Sequence, residues 1–162
     1  MTVEFKNLNI DSKAWVFQST TLISNKKLKQ IESDLNKFLL SWTAHGSELK
    51  TSYQFPYNHF IVIFVDHNKN IASGCSIDRL IHFIKKIETK FELILLDRFS
   101  IAYKKNEKIN VINLNEFKNI ISKNKDYHEV FVFNNMISSL KEFKNNWEIP
   151  LKKSYLNKYI RE

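Results

Sequence analysis

The chain has 162 residues, 43% of them hydrophobic, a formal charge of +8, one cysteine and two glycines. That size and apolar content suit a single domain, residues 1–162, able to fill its own core. The lone Cys75 excludes an internal disulfide and a multi-cysteine zinc site. Gly46 and Gly74 are too few and too far apart for a phosphate-cradling loop or a dinucleotide fingerprint, which need clustered glycines so that backbone N–H groups can approach the phosphates.

In chain order, Ala14 to Thr20 reads as a first strand. Leu28, Ile31, Leu35, Phe38, Leu39 and Trp42 then recur at helical spacing and predict a helix from about Asn25 to Trp42, closed near His45-Gly46. Leu49, Thr51, Tyr53 and Phe55 alternate with polar residues, as in a half-buried edge strand. His59 to Asp66 is almost continuously apolar, the pattern of a strand buried on both faces or central in a sheet. Ile77, Leu80, Ile81, Ile84, Ile87 and Phe91 predict a second helix, and Leu93 to Leu96 a further strand. The order strand, helix, strand, strand, helix, strand predicts an α+β, ferredoxin-like (βαββαβ) core with its third strand interior. An open, mostly parallel α/β sheet is the alternative.

Beyond this core, Phe99, Ile101 and Tyr103 face Ile109, Val111 and Ile112 across the turn Lys104 to Lys108, a hairpin expected to extend the same sheet. Asn113 with Glu116 opens a short helix in capping-box fashion, Val130 to Phe133 reads as a strand, and Ser139 with Glu142 opens a last helix. Pro150 begins a basic, tyrosine-rich tail, and the stretch from Lys141 to Glu162 carries six basic residues against three acidic ones. The longest apolar run, Phe60 to Val65, is far shorter than the roughly 20 residues that cross a bilayer. The start Met1-Thr2-Val3-Glu4-Phe5 lacks the layout of a secretory signal, so a cytoplasmic protein without a membrane partner is expected.

Several segments carry a resemblance. Trp42-Thr43-Ala44-His45-Gly46, Phe60-Ile61-Val62, Val65-Asp66, Ala72-Ser73-Gly74-Cys75-Ser76-Ile77-Asp78, Phe83-Ile84-Lys85, Asp97-Arg98, Val132-Phe133-Asn134-Asn135 and Trp147-Glu148-Ile149-Pro150-Leu151 resemble a group of short uncharacterised bacterial proteins. Some of these carry the label "ABC transporter ATPase". The label conflicts with the chemistry, because such an ATPase needs a glycine-rich phosphate loop ending in Lys and Ser or Thr, and neither glycine segment has that pattern. The resemblance implies no cofactor and no catalytic residue.

Cys75 is the sharpest chemical candidate, because a thiol at a helix start meets the positive end of the dipole and nearby amide donors. Gly74 would leave room for a substrate, with His45 as base and Asp66 as orienting carboxylate if the fold brings them together. The plainer alternative makes Cys75 a small buried hydrophobe and Ser73 or Ser76 the helix cap. Asp78 and His82, four apart, share a helix face beside Asp66-His67, yet they fall on the polar side and read as an exposed pair; no metal motif accompanies them. His59 and His128 stand alone.

The basic charge attracts an acidic protein or a nucleic acid, with Lys152, Lys153, Tyr155, Lys158, Tyr159 and Arg161 as the contact surface; a solvated face explains the same residues. A base-stacking sheet is a poor match, since Phe60 to Val65 lacks Lys, Arg and Gly. Taken together, the residues predict a non-enzymatic binding or regulatory domain without a cofactor. A cysteine-dependent transferase or hydrolase using Cys75 and a nucleic-acid-binding protein are the alternatives.

Overall fold

The computed structural model describes residues 1–44, 46–66, 72–123 and 129–160. Among these the chain runs β1 (Lys13–Gln18), α1 (Asn25–Ser41), β2 (Thr43–Ala44), β3 (Ser47–Glu48), β4 (Lys50–Gln54), β5 (Phe60–Asp66), α2 (Gly74–Phe91), β6 (Ser100–Lys105), β7 (Lys108–Asn113), α3 (Leu114–Lys123), β8 (Phe131–Phe133), α4 (Leu140–Asn146) and β9 (Glu148–Pro150). The result is a mixed α+β fold whose strand pairs between these elements are all antiparallel. No described helix is long and apolar enough to cross a membrane.

Local signals set the helix ends. The Ser24 hydroxyl accepts from Lys27 N, Ser73 from Ser76 N and Ser139 from Glu142 N, each supplying an acceptor to an amide that the first helical turn leaves unpaired. At α4 the Glu142 carboxylate reaches back to the amide and hydroxyl of Ser138 rather than to Ser139, one residue outside the usual capping box. The apolar faces follow the helical period: Leu28, Ile31, Leu35 and Leu39 on α1 and Leu80, Ile84, Ile87 and Phe91 on α2 are buried.

The first sheet has the order β1-β5-β4, so β5 is interior and β4 lies at an edge, as the hydropathy pattern implied. Every residue of β5 is buried. Successive side chains of a strand point to opposite faces. Ile61, Ile63 and Val65 pack against α1 and α2, whereas Phe60, Val62 and Phe64 pack against Ala102, Phe133, Leu140 and Trp147.

That second set belongs to a separate sheet, ordered β7-β6-β8-β9. The hairpin at Ser100 to Asn113 therefore does not extend the first sheet but forms one side of another one stacked on it, with β7 at the edge. The reason is β5 itself, whose phenylalanine face needs a cover that a coplanar strand cannot supply. Ile101, Tyr103 and Val132 point to the far side, where Phe117 and Ile121 of α3 and Leu151 and Leu156 of the C-terminal 3₁₀ turns close the third cluster. The layers run helices, sheet, sheet, helix. The tail after Pro150 is thus docked by buried leucines, and β9 is an edge strand in which proline is tolerated.

The expected strand at Leu93 to Leu96 does not form, so the first sheet has three strands and not the four that the expected ferredoxin-like core requires. Glu92 closes α2 in the left-handed region (φ 53°). The Glu88 carboxylate then accepts from the amides of Leu95 (2.6 Å) and Leu96 (3.0 Å), groups that a strand would share with a neighbour or solvent. One backbone bond, Thr20 N to Ile94 O (3.2 Å), is what this segment gives to the end of β1.

Two stability predictions follow from these contacts. Glu88→Ala should lose about 1.5–3 kcal/mol, the range for hydrogen bonds to a charged acceptor, while Glu88→Gln, which keeps a carbonyl acceptor, should lose less; urea midpoints at constant m check this. His59 is buried and burial lowers its pKa, opposed only by its contact with the Ser19 carbonyl. The folded protein therefore holds the neutral ring. As pH falls below about 6.5 the unfolded chain takes up the proton first, and stability present above that pH is lost through the folded pKa. Replacing His59 by Gln should flatten that part of the stability profile.

Candidate functional site

The two glycine-bearing segments meet. The Trp42 indole N–H donates to the Ser76 carbonyl (2.8 Å, buried), and the Arg79 guanidinium donates to the Ser41 carbonyl (3.0 Å), so the end of α1 is tied to the first turn of α2. Ser73 is the cap, and Ser76 is buried, its hydroxyl donating to the Ser73 carbonyl (2.8 Å). Cys75 sits beside them but is exposed, so it is not the buried hydrophobe of the plainer reading. It has no hydrogen-bond partner among the described residues. A side chain at Gly74 would meet nothing within 4 Å, so open space does surround this turn. Gly46, by contrast, has φ +77°, where other side chains are strained.

Asp66 is buried at the end of β5, directly across the ladder from Lys50, whose ammonium lies 2.9 Å from its carboxylate. Lys50 also donates to the Asn7 carbonyl (3.0 Å). The Asp66 carboxylate is thereby held as one half of a cross-strand ion pair. His45, His67, His128 and Arg161 lie outside the described residues. Asp78 and His82 are both exposed on α2. Among the described residues no group of three or more His, Cys, Asp or Glu is placed to hold a metal ion. Lys152 and Lys153 are exposed on the turn that follows β9.

A larger feature lies on the opposite side of β1. A cleft of about 500 Å³ opens between the two sheets along the outer edge of this strand, floored by Ala14, Val16 and Gln18 and walled by Leu95 to Arg98, Ser100 to Ala102 and Phe133 to Ile137. A second cavity of about 510 Å³ shares Arg98, Ile101 and Tyr155 with it. Side chains that alternate along β1 explain the mixed lining, since the even-numbered residues face the second sheet.

The polar groups of the cleft form a one-way chain of neutral donors. Trp147 Nε1 donates to Asn135 Oδ1 (3.1 Å), Asn135 Nδ2 to Gln18 Oε1 (2.7 Å) and Gln18 Nε2 to the Ser100 carbonyl (3.1 Å). This chain stitches α4, the segment after β8, β1 and β6 together. Asp97 is committed locally: its carboxylate accepts from the Ser100 hydroxyl and the Phe99 amide, which together hold its pKa below the usual carboxylate range. Arg98 is exposed and has no partner among the described residues.

Large apolar side chains stand in solvent around these two cavities: Met136 (88% exposed) lines the cleft, Phe99 (86%) the second cavity and Tyr155 (58%) both. Single exposed hydrophobes are ordinary, but three around two adjoining concavities form an apolar surface. Composition gave no hint of it. Asp97-Arg98 and Phe133-Asn134-Asn135 entered the sequence reading only as part of a resemblance, because neither carries a motif with a chemical meaning.

Elsewhere the two sheets are pinned by Lys104, Glu148 and Tyr57. Glu148 pairs with the Lys104 ammonium and accepts from the Tyr57 hydroxyl, and the ammonium lies 5.4 Å above the Tyr57 ring. The Glu148 carboxylate raises the Lys104 pKa, which keeps the amine charged and unsuited to attack as a nucleophile.

Because Cys75 is exposed, iodoacetamide should alkylate it in the folded protein within about ten-fold of its rate in the denatured chain. A thiol that reacts only after unfolding would contradict the exposed position. Set against known proteins, the chain matches no family model, and no curated protein or solved structure matches it.

Proposed function

We propose that this chain is a non-enzymatic binding domain whose ligand occupies the cleft beside β1. The observation that carries this reading is the combination of a cleft of about 500 Å³, a chain of neutral side-chain amides within it and an exposed apolar lining of Met136 and Tyr155. Binding sites commonly join apolar walls to a few oriented polar groups. The acid in the cleft, Asp97, is already occupied by Ser100 and Phe99, which favours recognition over proton transfer. The arrangement β1-β5-β4 with two helices on one face supports reading the first half as a ferredoxin-like core whose fourth strand is displaced, and the cleft occupies the place that strand would take. Two of the segments that resemble the bacterial group line this cleft, which fits a shared binding role. A cytoplasmic setting accompanies the proposal.

The cysteine-dependent alternative draws support from the exposure of Cys75 in the first turn of α2. The two readings separate in one experiment. Titration of the ¹⁵N-labelled protein with a set of soluble small-molecule fragments should shift the amides of Gln18, Ser100, Ala102 and Asn135, and Cys75→Ser should change nothing. The variant Met136→Ser should weaken those shifts about ten-fold while leaving stability within about 0.5 kcal/mol, since the side chain is solvent-exposed. Shifts scattered over the surface, or centred on Cys75, would sink the binding reading.

A further inference from the structure

The backbone of β1 shows what class of ligand fits the cleft. Ser19 N–H donates to the His59 carbonyl on the β5 side (2.7 Å). In an antiparallel ladder alternate residues turn their N–H and C=O to the same side, so Trp15, Phe17 and Ser19 face β5, and Ala14, Val16 and Gln18 face away from it. At one end this outer edge is closed: Ala14 N–H donates to the Ser138 carbonyl (3.0 Å), and Leu140 N–H donates to Ser12 (2.8 Å). At the other end Thr20 N–H donates to Ile94 (3.2 Å). Between these two points the outward amides of Val16 and Gln18 have no backbone partner among the described residues, and both residues line the cleft.

Buried or half-buried strand groups of this kind are normally paired or covered. The outer edge of β4 illustrates the difference, since Val3 N–H donates to Thr51 (2.8 Å) and Thr51 N–H to Met1 (3.0 Å). Resting on the binding reading above, we infer that the cleft takes an extended, apolar peptide segment of another protein, which pairs with the Val16 and Gln18 backbone and presents a carboxylate to Arg98. The open stretch from Ala14 to Gln18 spans about 13 Å at strand rise, room for about four residues of such a segment. Strand addition to a sheet edge gains affinity from main-chain bonds and specificity from pockets under alternate side chains. Met136 and Tyr155 supply apolar contact at the mouth, and Arg98 is the lining charge left unpaired among the described residues, since Asp97 beside it is held by Ser100 and Phe99. A second copy of the chain fits less well, because its own β1 edge is recessed between the same two closures.

The test is amide hydrogen exchange of the intact protein, read at Val16 and Gln18 by NMR, with a pool of N-acetylated, C-amidated hexapeptides alternating Val, Ile or Leu with Thr, Ser or Glu. The pool should slow exchange at both amides about ten-fold or more, as new hydrogen bonds require. The same pool with every backbone amide N-methylated should leave them unprotected. In Arg98→Glu, members containing Glu should lose their protection while members without it keep theirs. Equal protection by the methylated pool would overturn strand pairing yet leave the cleft a binding site. No protection by either pool, with fragments still shifting the cleft amides, would overturn the peptide inference alone; if the fragments also fail, the binding reading falls with it. Protection that grows with protein concentration and needs no peptide would assign the edge to a second copy and overturn the inference.

Discussion

Burial of β5 on both faces is the constraint on which the rest of the structure depends. A strand with Phe60, Val62 and Phe64 on one side and Ile61, Ile63 and Val65 on the other cannot leave either side to water, because each such side chain is worth about 1.5–3 kcal/mol in transfer from solvent. The helices α1 and α2 cover the isoleucine side. The phenylalanine side needs a second apolar surface of comparable width, and the sheet β7-β6-β8-β9, with α4, provides it. Having turned Ala102 and Phe133 towards β5, the second sheet exposes its opposite face, and α3 and the C-terminal turns close that in turn.

Stacking two sheets leaves a problem at the strand edges. The segment after α2 meets the end of β1 through the Thr20–Ile94 bond, while Glu88 diverts two of its amides to a carboxylate and Glu92 turns the chain at the helix end. A charged acceptor makes a stronger hydrogen bond than a neutral carbonyl, which favours the local arrangement over a ladder. The consequence is a gap along β1 between the closures at Ser138 and Ile94. The chain of Trp147, Asn135, Gln18 and Ser100 spans that gap and holds the two sheets at a set separation without bringing a charge into it.

The electrostatics divide in the same way. The net positive charge resides on exposed lysines, whereas groups between the sheets are neutral or internally paired: Lys50 with Asp66, Lys104 with Glu148. Isolated buried charges are costly and pairing offsets much of that cost. Long-range attraction is thus the property of the outer surface, and of the cleft's two charged residues Asp97 is held locally while Arg98 is exposed.

The amino-acid sequence by itself determined the elements whose signal is local. Helical spacing of Leu28 to Leu39 and of Leu80 to Phe91, the serine caps of α2 and α4, a hairpin turn within Lys104 to Lys108 and the doubly apolar β5 were all legible, because period, capping and turn chemistry act over a few residues. The same is true of the meeting of Ser73, Cys75 and Ser76 at one helix start. Only the tertiary structure decided that Leu93 to Leu96 is not a strand, that the hairpin belongs to a second sheet and that Cys75 faces solvent. Each of these turns on a long-range competition: Glu88 against a sheet edge, one face of β5 against another, one helix face against its neighbour. The cleft was illegible for the same reason. Gln18, Asp97, Ser100, Asn135 and Trp147 are separated by up to 129 positions of chain, from Gln18 to Trp147, and no spacing rule links residues that meet only when two sheets stack.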